Sequence, residues 1–171
     1  MKIVSIIGSP RGTKGNTAAL VKILLEGAKS QGATTKIIYI RGREVRPCKA
    51  CDICHRDGVC PQKDGFNSIK EKILKADGIV LASPNYIINI SAQLKAFLDR
   101  CCGLVHCQSF ENKYGASVVT SGGRRGGTHC SLSERFSCQH RGNASWRSMG
   151  NHGKYSGRFP RRYKGKGVCI R

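Results

Sequence analysis

Acidic side chains are scarce in this chain: 10 Asp and Glu stand against 30 Lys and Arg, a formal charge of +20. Aromatic residues make up only 6%, and the single tryptophan, Trp146, has no periodic apolar partners. No apolar run approaches the roughly 18 residues that a membrane-spanning helix needs, so no such helix is predicted. The opening MKIVSIIGSP has only a short apolar run that enters a strand, which argues against a signal peptide. These shortages place the chain in the cytoplasm, where thiols stay reduced and clustered cysteines bind metal more often than they form disulfides. A length of 171 residues suits one domain with a core of its own and is short for two.

The positive charge resembles the footprint of a nucleic-acid binder, but its distribution weakens that reading. Residues 1–120 carry 18 Lys and Arg and 9 Asp and Glu, whereas residues 121–171 carry 12 Lys and Arg and only Glu134. The second stretch also holds ten Gly and seven Ser but only Leu132, Val168 and Ile170 among Leu, Ile and Val. Such a composition cannot bury enough apolar surface to offset its ordering entropy. Two explanations stand for residues 124–171: a disordered basic tail, or translation in a shifted reading frame.

Residues 1–123 read differently. Lys2–Ile7 is a β-branched run that stops at Gly8-Ser9-Pro10, a strand and then a loop. Asn16-Thr17 open a helical pattern with Leu20, Ile23, Leu24 and Ala28 in phase, Asn16 being the expected N-cap, and the pattern ends near Gly32. Thr34–Ile40 reads as a strand, Phe66–Ala76 as an amphipathic helix, and Gly78–Ala82 as a buried strand interrupted by Ser83-Pro84-Asn85-Tyr86. Ser91–Cys102 is the next helix, with Leu94, Phe97 and Leu98 in the core and Asp99-Arg100 at a solvated end. Tyr114–Thr120 is a further strand, ending at Ser121-Gly122-Gly123. Strands alternating with helices predict an α/β doubly wound parallel sheet, incomplete or irregular after residue 123. In such a sheet ligands bind at the carboxyl ends of the strands, so the loops GSPRGTKGN, SPNY and TSGG should meet around one site.

Two constellations carry chemistry. The first, Gly8 to Thr17, lies between a strand and a helix N-terminus, where small residues let backbone N–H groups approach an anion. It offers the Ser9, Thr13 and Thr17 hydroxyls and the cations Arg11 and Lys14. It is neither a Walker A motif nor a GxGxxG fingerprint, and a plain Gly-rich turn remains the alternative. The second is CKACDICHRDGVC, with Cys48, Cys51, Cys54 and Cys60 followed by Pro61. Structural zinc usually draws two separated cysteine pairs. Three cysteines at x2 spacing and a fourth before proline are closer to the ferredoxin run that binds iron–sulfur clusters. Zinc and unligated thiols stay open as alternatives. Lys49, His55 and Arg56 favour thiolates here. Cys101 and Cys102 read as small buried hydrophobes, nothing in the spacing demands a role for His106 or Cys107, and Cys130, Cys138 and Cys169 fall in the anomalous stretch.

Ser-Pro-Arg followed by Asn-Thr, then SPNY, LKAFLDR and TSGG, in this order and spacing, resembles the flavodoxin-like NAD(P)H-dependent FMN reductases. The cysteine cluster narrows the resemblance, over residues 1–123, to the iron–sulfur flavoprotein subgroup. The resemblance implies a flavodoxin-like FMN-binding domain over 1–123 with a cysteine-cluster loop at 47–61. It implies that Ser9, Arg11, Asn16 and Thr17 hold the FMN phosphate. Pro84, Asn85, Tyr86 and Ile87 then lie beside the isoalloxazine ring, and Ser121, Gly122 and Gly123 touch it from the other side. Cys48, Cys51, Cys54 and Cys60 would bind a [4Fe–4S] cluster.

The function so implied is an FMN-dependent oxidoreductase that passes electrons between FMN and the cluster, with NAD(P)H or an electron carrier such as ferredoxin as partner and a homodimer or homotetramer as the assembly. The competing readings are an NAD(P)H-dependent FMN or quinone reductase without a cluster, and a nucleic-acid-binding protein acting through the basic stretch.

Overall fold

The computed structural model describes residues 1–41 and 45–122 and a short strand at 168–170. Gly123 and the rest of the basic stretch, apart from that strand, lie outside the described residues. β1 (Lys2–Ile7), β2 (Thr34–Tyr39), β3 (Gly78–Tyr86) and β5 (Tyr114–Thr120) pair in parallel in the order β2-β1-β3-β5. β6 (Val168–Ile170) pairs antiparallel with β5, and β4 (Asn89–Ile90) folds back on β3 as a hairpin. The helices are α1 (Asn16–Ser30), α2 (Ile53–Asp57), α3 (Phe66–Leu74), α4 (Ala92–Arg100) and α5 (Cys102–His106). Among the described residues no helix is long and apolar enough to cross a membrane.

Both faces of the sheet are covered, which is why β1 is buried over five consecutive residues instead of alternating. Ile3 and Ile7 of β1 share one core with Ala18, Val21 and Leu25 of α1, spaced to fall on one helix stripe. Val4 and Ile6 point the other way, into a second core with Phe66, Ile69 and Ile73 of α3 and Leu94 and Phe97 of α4. β1 and β5 have the predicted bounds. β3 runs four residues further than expected, because SPNY continues the strand: Ser83 pairs with Val119 and Pro84 with Thr120 of β5. The helix expected over Ser91–Cys102 breaks at Cys101 into α4 and α5, with Ser91 outside it as N-cap accepting from the Leu94 N–H.

A buried serine clip fixes the carboxyl ends of β1 and β3 to the start of α4. The Ser91 hydroxyl donates to the Gly8 carbonyl, and the Ser91 N–H donates to the Ser83 hydroxyl at 2.8 Å. Gly8 is packed so closely on α4 that a Cβ there would lie 2.8 Å from the Leu94 nitrogen and 2.9 Å from its Cα.

The cysteine excursion leaves and rejoins the fold at a neck closed by one carboxylate. Asp64 accepts from the N–H groups of Arg46 (3.0 Å) and Phe66 (3.1 Å) and from both terminal nitrogens of Arg100 (2.7 and 3.0 Å). Arg100, expected at a solvated helix end, has no exposed side-chain surface. It lies over the Phe66 ring at 4.5 Å and donates to the Arg46 carbonyl at 3.0 Å, so a partner 36 residues away turns a helix-end cation inward. Burial alone would raise the Asp64 carboxyl, but Arg100 and the two backbone N–H groups outweigh it and hold it at about 2.

Two expectations follow. Gly8→Ala forces backbone apart at the clip and should lower unfolding free energy by about 1–3 kcal/mol in urea titrations. Asp64 titrates below an ordinary carboxylate, so its contribution is complete at neutral pH and lost as pH falls from about 4 through 2. Asp64→Asn should therefore cost about 3 kcal/mol at pH 7, and the gap between wild type and variant should close towards pH 2.

Candidate cofactor-binding site

The loop after β1 is shaped by what it cannot hold. Gly12 sits at φ +52°, and a Cβ there would come within 3.1 Å of the Arg41 guanidinium. A Cβ at Gly15 would lie 3.2 Å from the Ser9 hydroxyl. Ser9 is buried, while Arg11, Thr13 and Lys14 are exposed. Asn16, expected as N-cap, is instead the first helical residue: Gly15 takes the cap position and no side chain caps α1. The first N–H groups of this 15-residue helix are thus left to the loop, with no acidic residue in the first turn. Thr17 is buried, and its hydroxyl shares a hydrogen bond of 2.8 Å with Thr120 at the end of β5.

The structure brings this loop together with the other two. Gly8 donates to the Ala82 carbonyl at 2.9 Å, and the Asn85 amide donates to the Ser121 hydroxyl at 3.3 Å. Pro84 is buried, the Asn85 Oδ1 is buried without a hydrogen-bond partner, and Gly122 is exposed. Gly123 lies outside the described residues. The hairpin after Tyr86 turns through Ile87 and Ile88, both with positive φ (+46° and +60°). For β-branched residues this conformation costs on the order of 1–3 kcal/mol each, and strain of that kind gathers at functional sites. Ile87 is 97% exposed and Tyr86 45%.

Arg41 was not among the predicted residues. A signal for it existed: it stands two residues beyond β2, at the same carboxyl edge of the sheet as the other three loops.

The four cysteines of the excursion occupy a separate region beside α4 and α5. Cys48 and Cys51 are exposed, Cys54 is half-buried and Cys60 is buried. Ala50 and Asp52 adopt positive φ (51° and 61°), which curls the loop so that the Ala50 N–H points to the Cys48 sulfur at 3.4 Å. Gly103 of α5 lets the loop seat: a Cβ there would lie 3.0 Å from the Cys54 carbonyl and 3.3 Å from its sulfur. Burial raises the Cys54 thiol pKa, the Gly103 N–H opposes that rise, and the neighbouring Cys60, Cys102 and Cys48 sulfurs add to it. A cavity of about 120 Å³ opens here, lined by Cys54, Cys60, Lys70, Arg100 and Cys107 among others, and its charged lining residues are both cations. Among the described residues, no three His, Cys, Asp or Glu side chains converge on a point as a single metal ion would require.

Cys101 is fully buried, as expected, and burial pushes its thiol up. Cys102, expected to be buried, is exposed, with its sulfur 3.2 Å from the His55 ring. The two adjacent cysteines, about 100° apart around the helical turn, thus meet different environments. His55 also meets Asp52 at 2.9 Å and stacks on His106 at 4.9 Å, and Arg56 is paired with Asp57 at 2.8 Å. The cations at the cavity are Lys70 and Arg100, neither of which sequence spacing singled out.

Comparison with known proteins places this geometry in a family. The profile of the NADPH-dependent FMN reductase family matches residues 1–145. An iron–sulfur flavoprotein of Methanosarcina thermophila is 43% identical over 130 residues, covering 74% of this chain and 66% of its own length. One from Methanocaldococcus jannaschii is 37% identical over 134 residues, covering 78% and 69%. The chain thus spans about two thirds of the length of these relatives. Among solved structures, the Trp repressor binding protein of Bacillus subtilis superposes with a TM-score of 0.57 at 24% identity, over 80% of this chain and 78% of that one. A flavodoxin-type WrbA-like protein of Agrobacterium tumefaciens gives 0.57 at 19% identity, over 81% and 73%. These two likenesses establish the flavodoxin-like fold. By fold, by profile and by its curated relatives, the chain belongs to the NADPH-dependent FMN reductase family of oxidoreductases, within its iron–sulfur flavoprotein subgroup.

Proposed function

We propose that this protein is an FMN-dependent oxidoreductase that passes electrons between FMN and a [4Fe–4S] cluster held by Cys48, Cys51, Cys54 and Cys60. The observation that carries the proposal is the span of α4. Its N-cap Ser91 bonds to Gly8 in the loop cluster, and its last residue, Arg100, bonds to Asp64 at the neck of the cysteine excursion. Nine residues, about 13 Å of helix, therefore join a candidate flavin site to a candidate cluster site.

The residues present fit both groups. The glycine-lined loop, the uncapped start of α1 and the cations Arg11 and Lys14 suit a phosphate, with Ser9, Asn16 and Thr17 shaping the cradle. Pro84, Asn85, Tyr86 and Ile87 on one side and Ser121, Gly122 and Gly123 on the other would hold the flat ring, a reading supported by the Asn85 to Ser121 hydrogen bond that brings these loops together. The Asn85 Oδ1, buried without a partner, is free to accept from a ring N–H. At the cysteine loop, Cys54 and Cys60 share a cavity with the cations Lys70 and Arg100, a setting that suits thiolates and a charged cluster, and the x2-x2 spacing of Cys48, Cys51 and Cys54 suits a cluster better than a lone zinc ion. FMN exchanges one or two electrons and the cluster one, so the pair suits transfer between a two-electron donor such as NAD(P)H and a one-electron carrier such as ferredoxin. The protein's part is to anchor the phosphate, fix the ring and exclude water. A homodimer or homotetramer in the cytoplasm, where thiols stay reduced, completes the reading.

Anaerobically reconstituted protein should show flavin bands, a broad thiolate-to-iron shoulder in the visible, and about four irons per chain. Cys51→Ser should lose iron and keep FMN. Protein with flavin, no iron and steady NAD(P)H oxidation by quinones would replace the proposal with a cluster-free reductase. At the other site, Arg11→Ala should weaken FMN by about tenfold, as loss of one charge-assisted contact implies. Riboflavin affinity, read by flavin fluorescence, should barely change.

A further inference from the structure

Arg100 is buried more completely than any pairing with Asp64 alone requires, and its third nitrogen is not accounted for. Nη1 donates to Asp64 and to the Arg46 carbonyl, and Nη2 donates to the other Asp64 oxygen. The guanidinium face is closed by the Phe66 ring at 4.5 Å. Nε is buried and has no hydrogen-bond partner, oxygen or sulfur, and a buried donor left so is costly. On the wall of the cavity they share, the Cys60 sulfur is the group whose negative charge this guanidinium would favour. Cys60 is itself buried, and it lines the same cavity as Arg100 and Lys70.

A neutral thiol is a weak acceptor and leaves the donor nearly orphaned. A thiolate sulfur bound to iron is a much better one, so the orphaned N–H is satisfied when Cys60 carries a ligand. The geometry is set before that happens. Asp64 grips the guanidinium bidentately, is itself held by two backbone N–H groups, and cannot turn away without breaking the neck of the excursion.

We propose that Arg100 is a positioning residue of the cluster, donating a hydrogen bond to the Cys60 sulfur and raising the cluster's reduction potential. The physical reason is differential. One-electron reduction adds negative charge to the cluster, and a fixed N–H dipole and cation at a ligating sulfur stabilise the reduced form more than the oxidised one. Asp64 tempers the cation but leaves the N–H direction intact. The inference rests on the reading of Cys60 as a cluster ligand and goes beyond it.

The test is a dithionite titration of the reconstituted holoprotein, with the reduced cluster followed by electron paramagnetic resonance and FMN by absorbance in the same sample. Arg100→Gln should keep iron and FMN, lower the cluster midpoint, and leave the FMN midpoint where it was. Arg100→Lys should recover part of the shift. Removing Arg100 leaves Asp64 buried without its cation, so the double variant Arg100→Met with Asp64→Asn provides a neutral pair of similar size if the single variant does not fold. It should show the same downward shift. A fully loaded variant with the wild-type cluster midpoint, or equal shifts in cluster and flavin, would overturn the role of Arg100 while leaving the cluster intact. Wild-type protein that takes up no iron would overturn both readings together.

Discussion

The Asp64 carboxylate is the constraint on which the rest of this molecule hangs. It satisfies four donors from three places in the chain: the entry to the cysteine excursion at Arg46, the start of α3 at Phe66, and the end of α4 at Arg100. A carboxylate so saturated stays ionised in a site from which water is nearly excluded, its side chain being 6% exposed. A buried ion pair is a poor stabiliser compared with apolar residues of similar volume, because desolvation consumes most of its attraction. Its value here is in direction. It holds a long polar loop, which has little core of its own, in one orientation against α4 and α5.

From that point the constraint travels along α4 to the sheet. The helix starts at Ser91, where a serine clip and the close approach of Gly8 leave its position against β1 and β3 no slack. Thr17 to Thr120 and Asn85 to Ser121 then tie the start of α1 and the carboxyl end of β3 to the carboxyl end of β5. The two regions of chemical interest are therefore attached to the ends of one rigid rod. The strained Ile87-Ile88 turn stands outside this lacing and presents bare hydrocarbon at the rim of the loop cluster.

What could be read from sequence and what could not divide along physical lines. β1 and β5 were legible to the residue because β-branched runs bounded by glycine, or by Lys113 and Ser121, encode their own limits. SPNY misled because proline usually ends a strand, yet Pro84 stays in register opposite Thr120. The candidate loops were legible as motifs; their convergence followed from the rule for parallel sheets. Arg100 was not legible, since a cation at a helix end becomes a core residue only through an aspartate 36 positions earlier. Cys102 failed for a related reason: adjacent residues on a helical turn face directions about 100° apart, so Cys101 is buried while Cys102 is exposed beside His55. Local patterns thus gave elements, whereas the fate of single polar side chains depended on contacts that periodicity does not carry.

The neck between Arg46 and Asp64 has a consequence for how such a protein can change over generations. Because the excursion departs and returns at one clasp, 18 residues apart in sequence, its interior can lengthen, shorten or shift a cysteine without moving any strand. The fold behaves as a socket with a separable plug: the cysteine loop can vary in length and composition while the sheet that receives it keeps its strands.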